Sequence, residues 1–204
     1  MSPSSARVRH PSEPVALGDR AMDDLRFIRR TMERGPAFTA LPGWGGVAIG
    51  MSALVAAGVA SSRESGIAWL STWLLEAVLA TVICLWAMRA KAERAELPLL
   101  SGAGRKFLLS FLPPTLAGAI LTFALVQSGA TSLIPGAWLL LHGVGVVAAG
   151  TFSVRVVPIM GFCFMALGGL ALLVAPAAGD LLLATGFGGL HVVFGLHIAR
   201  KHGG

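Results

Sequence analysis

Three side chains could do chemistry inside stretches that are otherwise apolar: Glu76, His142 and His191. A carboxylate at the centre of a membrane helix costs roughly 2.5–3.5 kcal/mol on insertion scales, so Glu76 must face other helices and find a partner there. Counted from one end of their segments, Glu76 lies about nine residues in, His142 about seven and His191 about eleven. At ~1.5 Å per residue these depths fall in one slab roughly 6 Å thick. A glutamate and two histidines at one depth suit a proton relay, a cation site or a polar layer that holds a small solute. Equal depth is not contact, however. Each group could instead bond separately to a carbonyl or hydroxyl, such as Thr72, one turn before Glu76. Glu76 and His191 are the stronger functional candidates, and His142 reads more simply as a packing residue.

Other chemistries find no support in the residue spacing. No helix carries His-x-x-x-His or Glu-x-x-His, so no metal site is expected. His191 and His197 are six residues apart and point to different faces. Cys84 and Cys163 lie in separate apolar runs, as small packing residues do. The chain has no Gly-x-Ser-x-Gly, no phosphate loop and no His-Glu-x-x-His, so no catalytic residue and no cofactor are assigned.

The elements that must position these groups follow from composition. Hydrophobic residues make up 55% of the chain and charged residues 13%, about half the charged share of a soluble domain. The charge is concentrated between apolar runs. Six such runs are predicted as spans: 41–61, 67–88, 107–127, 135–152, 156–175 and 181–199. Each is long enough for a hydrocarbon core near 30 Å. The predicted fold is therefore all-α, a polytopic membrane protein with six transmembrane helices whose first partner is the lipid bilayer. The net charge of +6 then marks one face of the membrane, not nucleic-acid binding. Fifteen of the sixteen basic residues fall on one side and Arg63 alone on the other, which places both termini in the cytoplasm by the positive-inside rule.

Residues 1–18 read as a disordered tail. Residues 19–35 read as a short amphipathic helix with Leu25, Ile28 and Met32 on one face, ended by Gly35-Pro36. Over 19–34 such a helix can lie on an anionic membrane surface or dock a cytoplasmic protein partner. Within span one, Gly46, Gly50, Ala53 and Ala57 give the small-xxx-small spacing of close helix contact. Pro113 and Pro114 in span three, and Gly186, Gly188 and Gly189 in span six, are the candidate helix breaks. Asp180 reads as the N-cap of span six. Residues 200–204 form a cytoplasmic tail.

Span one opens Leu-Pro-Gly-Trp and span four Ile-Pro-Gly-Ala-Trp. With an interrupted third helix in each half, this fits two antiparallel halves of a transporter, or a chance resemblance, since Pro-Gly at a helix start is common. Six spans make a small permeation unit, compatible with a homodimer.

Three stretches carry a family resemblance. They are Leu25-Arg-Phe-Ile-Arg-Arg-Thr-Met-Glu-Arg through Trp44-Gly-Gly, Phe152-Ser-Val-Arg-Val-Val-Pro-Ile-Met-Gly, and the ending from Gly186 to Gly204. In these the chain resembles an uncharacterised family of bacterial six-span integral membrane proteins. The resemblance implies the topology and no activity; a bacterial inner-membrane location is expected alongside it. Two functions from different classes follow: a small transporter or channel-like protein working through the Glu/His layer, and a non-transporting sensor or scaffold acting through helix 19–34.

Overall fold

The computed structural model describes residues 42–63, 65–94, 103–151, 153–174 and 176–202, together with Leu25. The chain divides into two compact units, Met1–Pro36 and Ala37–Gly204. The second holds every described residue but Leu25, which is helical and exposed. The rest of the tail and of the amphipathic helix predicted at 19–34 lies outside the described residues.

Five helices come first: α1 Gly43–Ser61, α2 Gly66–Arg94, α3 Ala103–Gln127, α4 Ile134–Gly150 and α5 Val156–Leu173. The sixth span, Pro176–Lys201, is composite. It holds α6 Gly179–Leu183, a π-helical stretch Ala184–Leu190, and α7 His191–His202. No strand occurs among the described residues. Six helices are long and apolar enough to cross a membrane, and the architecture is that of an all-α multi-pass membrane protein.

The helices outrun the predicted spans where charge begins. α2 continues through Arg89, Lys91, Glu93 and Arg94, and α3 starts at Ala103. Hydropathy marks where lipid ends, not where a helix ends. Alanines 87, 90 and 92 favour continuation, and Arg89 Nε donates to Glu93 Oε1 at 2.8 Å, one turn apart. The Pro113-Pro114 pair does not end its helix either, since α3 runs unbroken to Gln127. Asp180 is not the N-cap expected for span six. Ala178 takes that place, Asp180 sits in the first turn, and its carboxylate goes elsewhere.

Two glycine seams hold the centre. On α4, Gly136, Gly143 and Gly150 recur every seven residues, and Gly161 and Gly168 do so on α5. A seven-residue repeat keeps one narrow face turned to a neighbour that crosses at a shallow left-handed angle. Gly143 meets the Gly161 carbonyl and Met165, and Gly168 meets the Gly136 carbonyl and Leu140. The second seam sets Gly43, Gly46 and Gly50 of α1 against Gly188, Val192, Gly195 and Ala199 of the sixth span. Lipid tails give helices no hydrophobic reason to associate, so backbone approach must supply the dispersion energy.

The seams do not repeat between the halves. The seam on α1 faces the sixth span, whose counterpart in the other half would be α3. The seam on α4 faces α5 instead.

α1, α4, α5 and the sixth span form the interior, and α2 and α3 flank it. Half of the apolar window of α1 is buried and 56% of that of α4, against 11% for α2 and for α3. The two flanking helices meet through Met88 and Phe107, which pack with Ala149 near the end of the bundle that carries Arg155. Near the opposite end, that of Arg63, a cavity of about 440 Å³ opens, lined by residues that include Leu70 of α2 and Val126 of α3.

Candidate functional site

Below that cavity lies a column of aromatic and histidine side chains, set by residue pairs four apart. α2 supplies Trp69 and Trp73, α4 supplies Trp138 and His142, and the sixth span supplies Phe187 and His191. Residues four apart share a helix face one turn apart, so α2 and α4 each contribute to two successive layers, while Phe187 and His191 both pack in the deeper one.

The layer nearer the Arg63 end is a stacked indole pair. Trp69 and Trp138 have ring centroids 5.9 Å apart and planes 13° from parallel. Trp69 Nε1–H donates to Asp180 Oδ1 at 2.6 Å. Trp138 Nε1–H donates to Thr122 Oγ1 at 2.7 Å, and that hydroxyl donates to the Gly118 carbonyl. One layer thus ties α2, α3, α4 and α6 together.

The second layer is about 6 Å deeper, four residues along α2 and α4. His142 stands at its centre, with ring centroids 4.6 Å from Phe164, 5.0 Å from Phe187, and 5.4 Å from both Phe111 and His191. His191 is buried, with Phe164 5.3 Å away. Trp73 closes the layer against Phe187 at 6.1 Å.

The π-helical stretch sets the His191 ring. The His191 backbone N–H goes to the Gly188 carbonyl, and its Nδ1 reaches the Phe187 carbonyl at 2.9 Å. A carbonyl only accepts, so Nδ1 carries the proton. π-helical turns inside α-helices are frequent at functional sites. The glycines singled out at 186, 188 and 189 all fall in this turn.

Two polar atoms in the layer are closed off from solvent and have no hydrogen-bond partner among the described residues: His142 Nε2 and Trp73 Nε1. Leaving a buried donor or acceptor unpaired costs about 1–3 kcal/mol. Two such atoms flanking one phenylalanine are a local loss of stability that packing alone would remove.

Glu76 is placed apart from the histidines. It is 8% exposed and its partner is Ser52 of α1, whose Oγ lies 2.8 Å from Glu76 Oε1 and 2.9 Å from the Ile49 carbonyl. The hydroxyl has one proton to give. If it goes to the carbonyl, Glu76 must donate the second bond; if it goes to Glu76, the carboxylate accepts. Among the described residues no hydrogen bond or ion pair joins Glu76 to His142 or His191. The structure thus brings the two histidines together and puts the glutamate at the α1–α2 contact. Ser52→Ala is expected to destabilise the protein by about 1–3 kcal/mol, because it strands a buried carboxyl. Thermal unfolding in detergent checks this, and an unchanged midpoint would contradict it.

No group of three or more metal-ligating side chains forms among the described residues. The cysteines are free, and Cys84 Sγ rests 3.8 Å from Met88 Sδ.

Sequence reasoning passed over Trp69, Trp73, Trp138, Phe164 and Phe187 as members of a site. The signal was present as three four-residue intervals, each pairing aromatic or histidine residues.

The chain has no match among family models, curated proteins or solved structures.

Proposed function

We propose that the protein is a small transporter or channel-like protein of a bacterial inner membrane, with both termini cytoplasmic, in which the His142–His191 pair handles a proton, cation or small solute. The observation that carries this reading is the unpartnered His142 Nε2, buried beside a second histidine one turn below a cavity. A site that water or solute visits in another conformation explains why that atom is kept. The arginine asymmetry supports the orientation, with Arg63 alone among the basic residues on the outer side.

On this reading the Trp69–Trp138 stack is the gate on the outer side and the Met88–Phe107–Ala149 contact the seal on the inner side. His142 Nε2 makes no hydrogen bond to the described residues, so a proton passes between the rings through a bridging water or the solute itself. Ser52–Glu76 holds α2 to α1 and flanks the path.

The test is flux in proteoliposomes that enclose a pH-sensitive dye. His142→Ala and His191→Ala are expected to lower flux at least about tenfold, as loss of a proton-carrying side chain does. Glu76→Gln, which keeps a bonding partner for Ser52, is expected to retain most of it. A parent protein without flux, or histidine variants that match the parent, would remove the proposal and leave the scaffold reading through residues 19–34.

A further inference from the structure

The cavity at the Arg63 end has a chemistry of its own. Its walls include Trp69 and Asp180 and the hydroxyl residues Ser65, Thr131 and Ser132. Asp180 is the only charged side chain among the described lining residues. One of its oxygens, Oδ1, accepts the Trp69 N–H. Among the described residues no cation lies in salt-bridge range of Asp180; Arg63, at the same end, is exposed. The connecting segments at this end, 62–65, 128–133 and 174–180, carry Arg63, Glu64 and Asp180 as their charges. This end is therefore net acidic on a chain of net charge +6.

Three helices, α2, α4 and α6, begin at the cavity. Each helix start carries up to about half a positive charge, which argues for an anion. Two facts oppose this. The 3₁₀ turns Thr131–Leu133 and Pro176–Ala178 precede α4 and α6 and already engage amides at those starts: the Ile134 N–H bonds the Thr131 carbonyl. The carboxylate on the first turn of α6 is a full charge at one point. An indole that donates its N–H to a carboxylate also becomes richer in π electrons, which strengthens its attraction for a cation. A single carboxylate with scattered hydroxyls is too sparse for a hard divalent metal, which takes six or more oxygens. A volume of about 440 Å³ suits a small organic molecule.

We propose that this cavity binds a small organic ammonium ion, with Asp180 as its counter-ion and the Trp69 ring against its alkyl or methyl groups. The ligand class deepens the transport reading and rests on it only for the later passage to His142; binding at the cavity stands or falls by itself.

The test uses the full-length protein in nanodiscs and three probes of one shape and different charge: choline, 3,3-dimethylbutan-1-ol and 3,3-dimethylbutanoate. Binding is followed by calorimetry and by tryptophan emission. Choline is expected to bind saturably, the alcohol at least about tenfold more weakly, and the carboxylate not at all. Asp180→Asn and Trp69→Leu are each expected to weaken choline at least about tenfold, and Trp69→Phe less than Trp69→Leu. Should Asp180→Asn fail to give a single folded species by size exclusion, the charge series on the parent decides the matter, with Asp180→Glu as the folded comparison. Equal binding of choline and the alcohol, tighter binding of the carboxylate, or no saturable binding of choline would each overturn the proposal. Choline binding without flux sinks the transport reading and leaves the cation site; flux without choline binding does the reverse.

Discussion

Gly168→Ala is expected to destabilise the protein by about 1–3 kcal/mol, whereas Gly169→Ala, one residue along the same helix, should be neutral or stabilising by up to about 1 kcal/mol. A Cβ on Gly168 would lie 2.5 Å from the Leu140 backbone nitrogen and 2.9 Å from the Gly136 carbonyl oxygen. Backbone cannot swing aside as a side-chain tip can, so α4 and α5 must separate along the seam. A Cβ on Gly169 meets nothing within 4 Å and only removes a flexible residue from a helix. The sixth span offers a milder pairing, because the close contact of a Gly188 Cβ is the Leu54 side chain, which can move, and the Gly50 carbonyl is 3.5 Å away. A Cβ on Gly189 meets nothing within 4 Å. Thermal or denaturant unfolding in one detergent, followed by tryptophan emission, measures the difference. If the two adjacent alanine variants unfold together, the α4–α5 seam is not what holds these helices. The contrast is sharp because each variant of a pair carries the same substitution at the same depth in the bilayer. Helix propensity therefore cancels, and what remains is whether the added methyl meets the neighbouring helix or open space.

His142→Phe should separate stability from activity. Removing the unpaired buried Nε2 while keeping an aromatic ring among Phe111, Phe164 and Phe187 is expected to raise stability by up to about 1–3 kcal/mol. The same variant is expected to lose flux. His191→Phe should behave oppositely in stability. It deletes the Nδ1–H bond to the Phe187 carbonyl and is expected to cost about 1 kcal/mol. Two neighbouring histidines replaced by the same residue would then shift the unfolding midpoint in opposite directions. A His142→Phe variant that unfolds earlier than the parent would show that His142 holds a structural bond, and it would take away the main support for a functional pair. Gains in stability that accompany losses of function are what polar residues kept for chemistry produce.

Residue order by itself determined the solvent of each segment. Stretches such as 41–61 and 156–175 are too long and too apolar for water, and hydropathy depends only on what residues are, not on where they meet. The spread of arginine around those stretches supported a topology for the same reason. The glycine seams were half legible: Gly46 and Gly50 declared a close contact, but the partner helix did not follow from spacing. Depth along a helix could be counted, and it put Glu76, His142 and His191 in one slab. Rotation about each helix axis could not be counted without neighbours. That rotation turned Glu76 to Ser52 on α1, turned His142 into the rings of three phenylalanines, and let the π-helical turn at 184–190 aim His191 at its side. Tertiary packing decided which polar groups meet, because burial in lipid constrains how far along a helix a residue lies, while contact between helices fixes the direction in which it points.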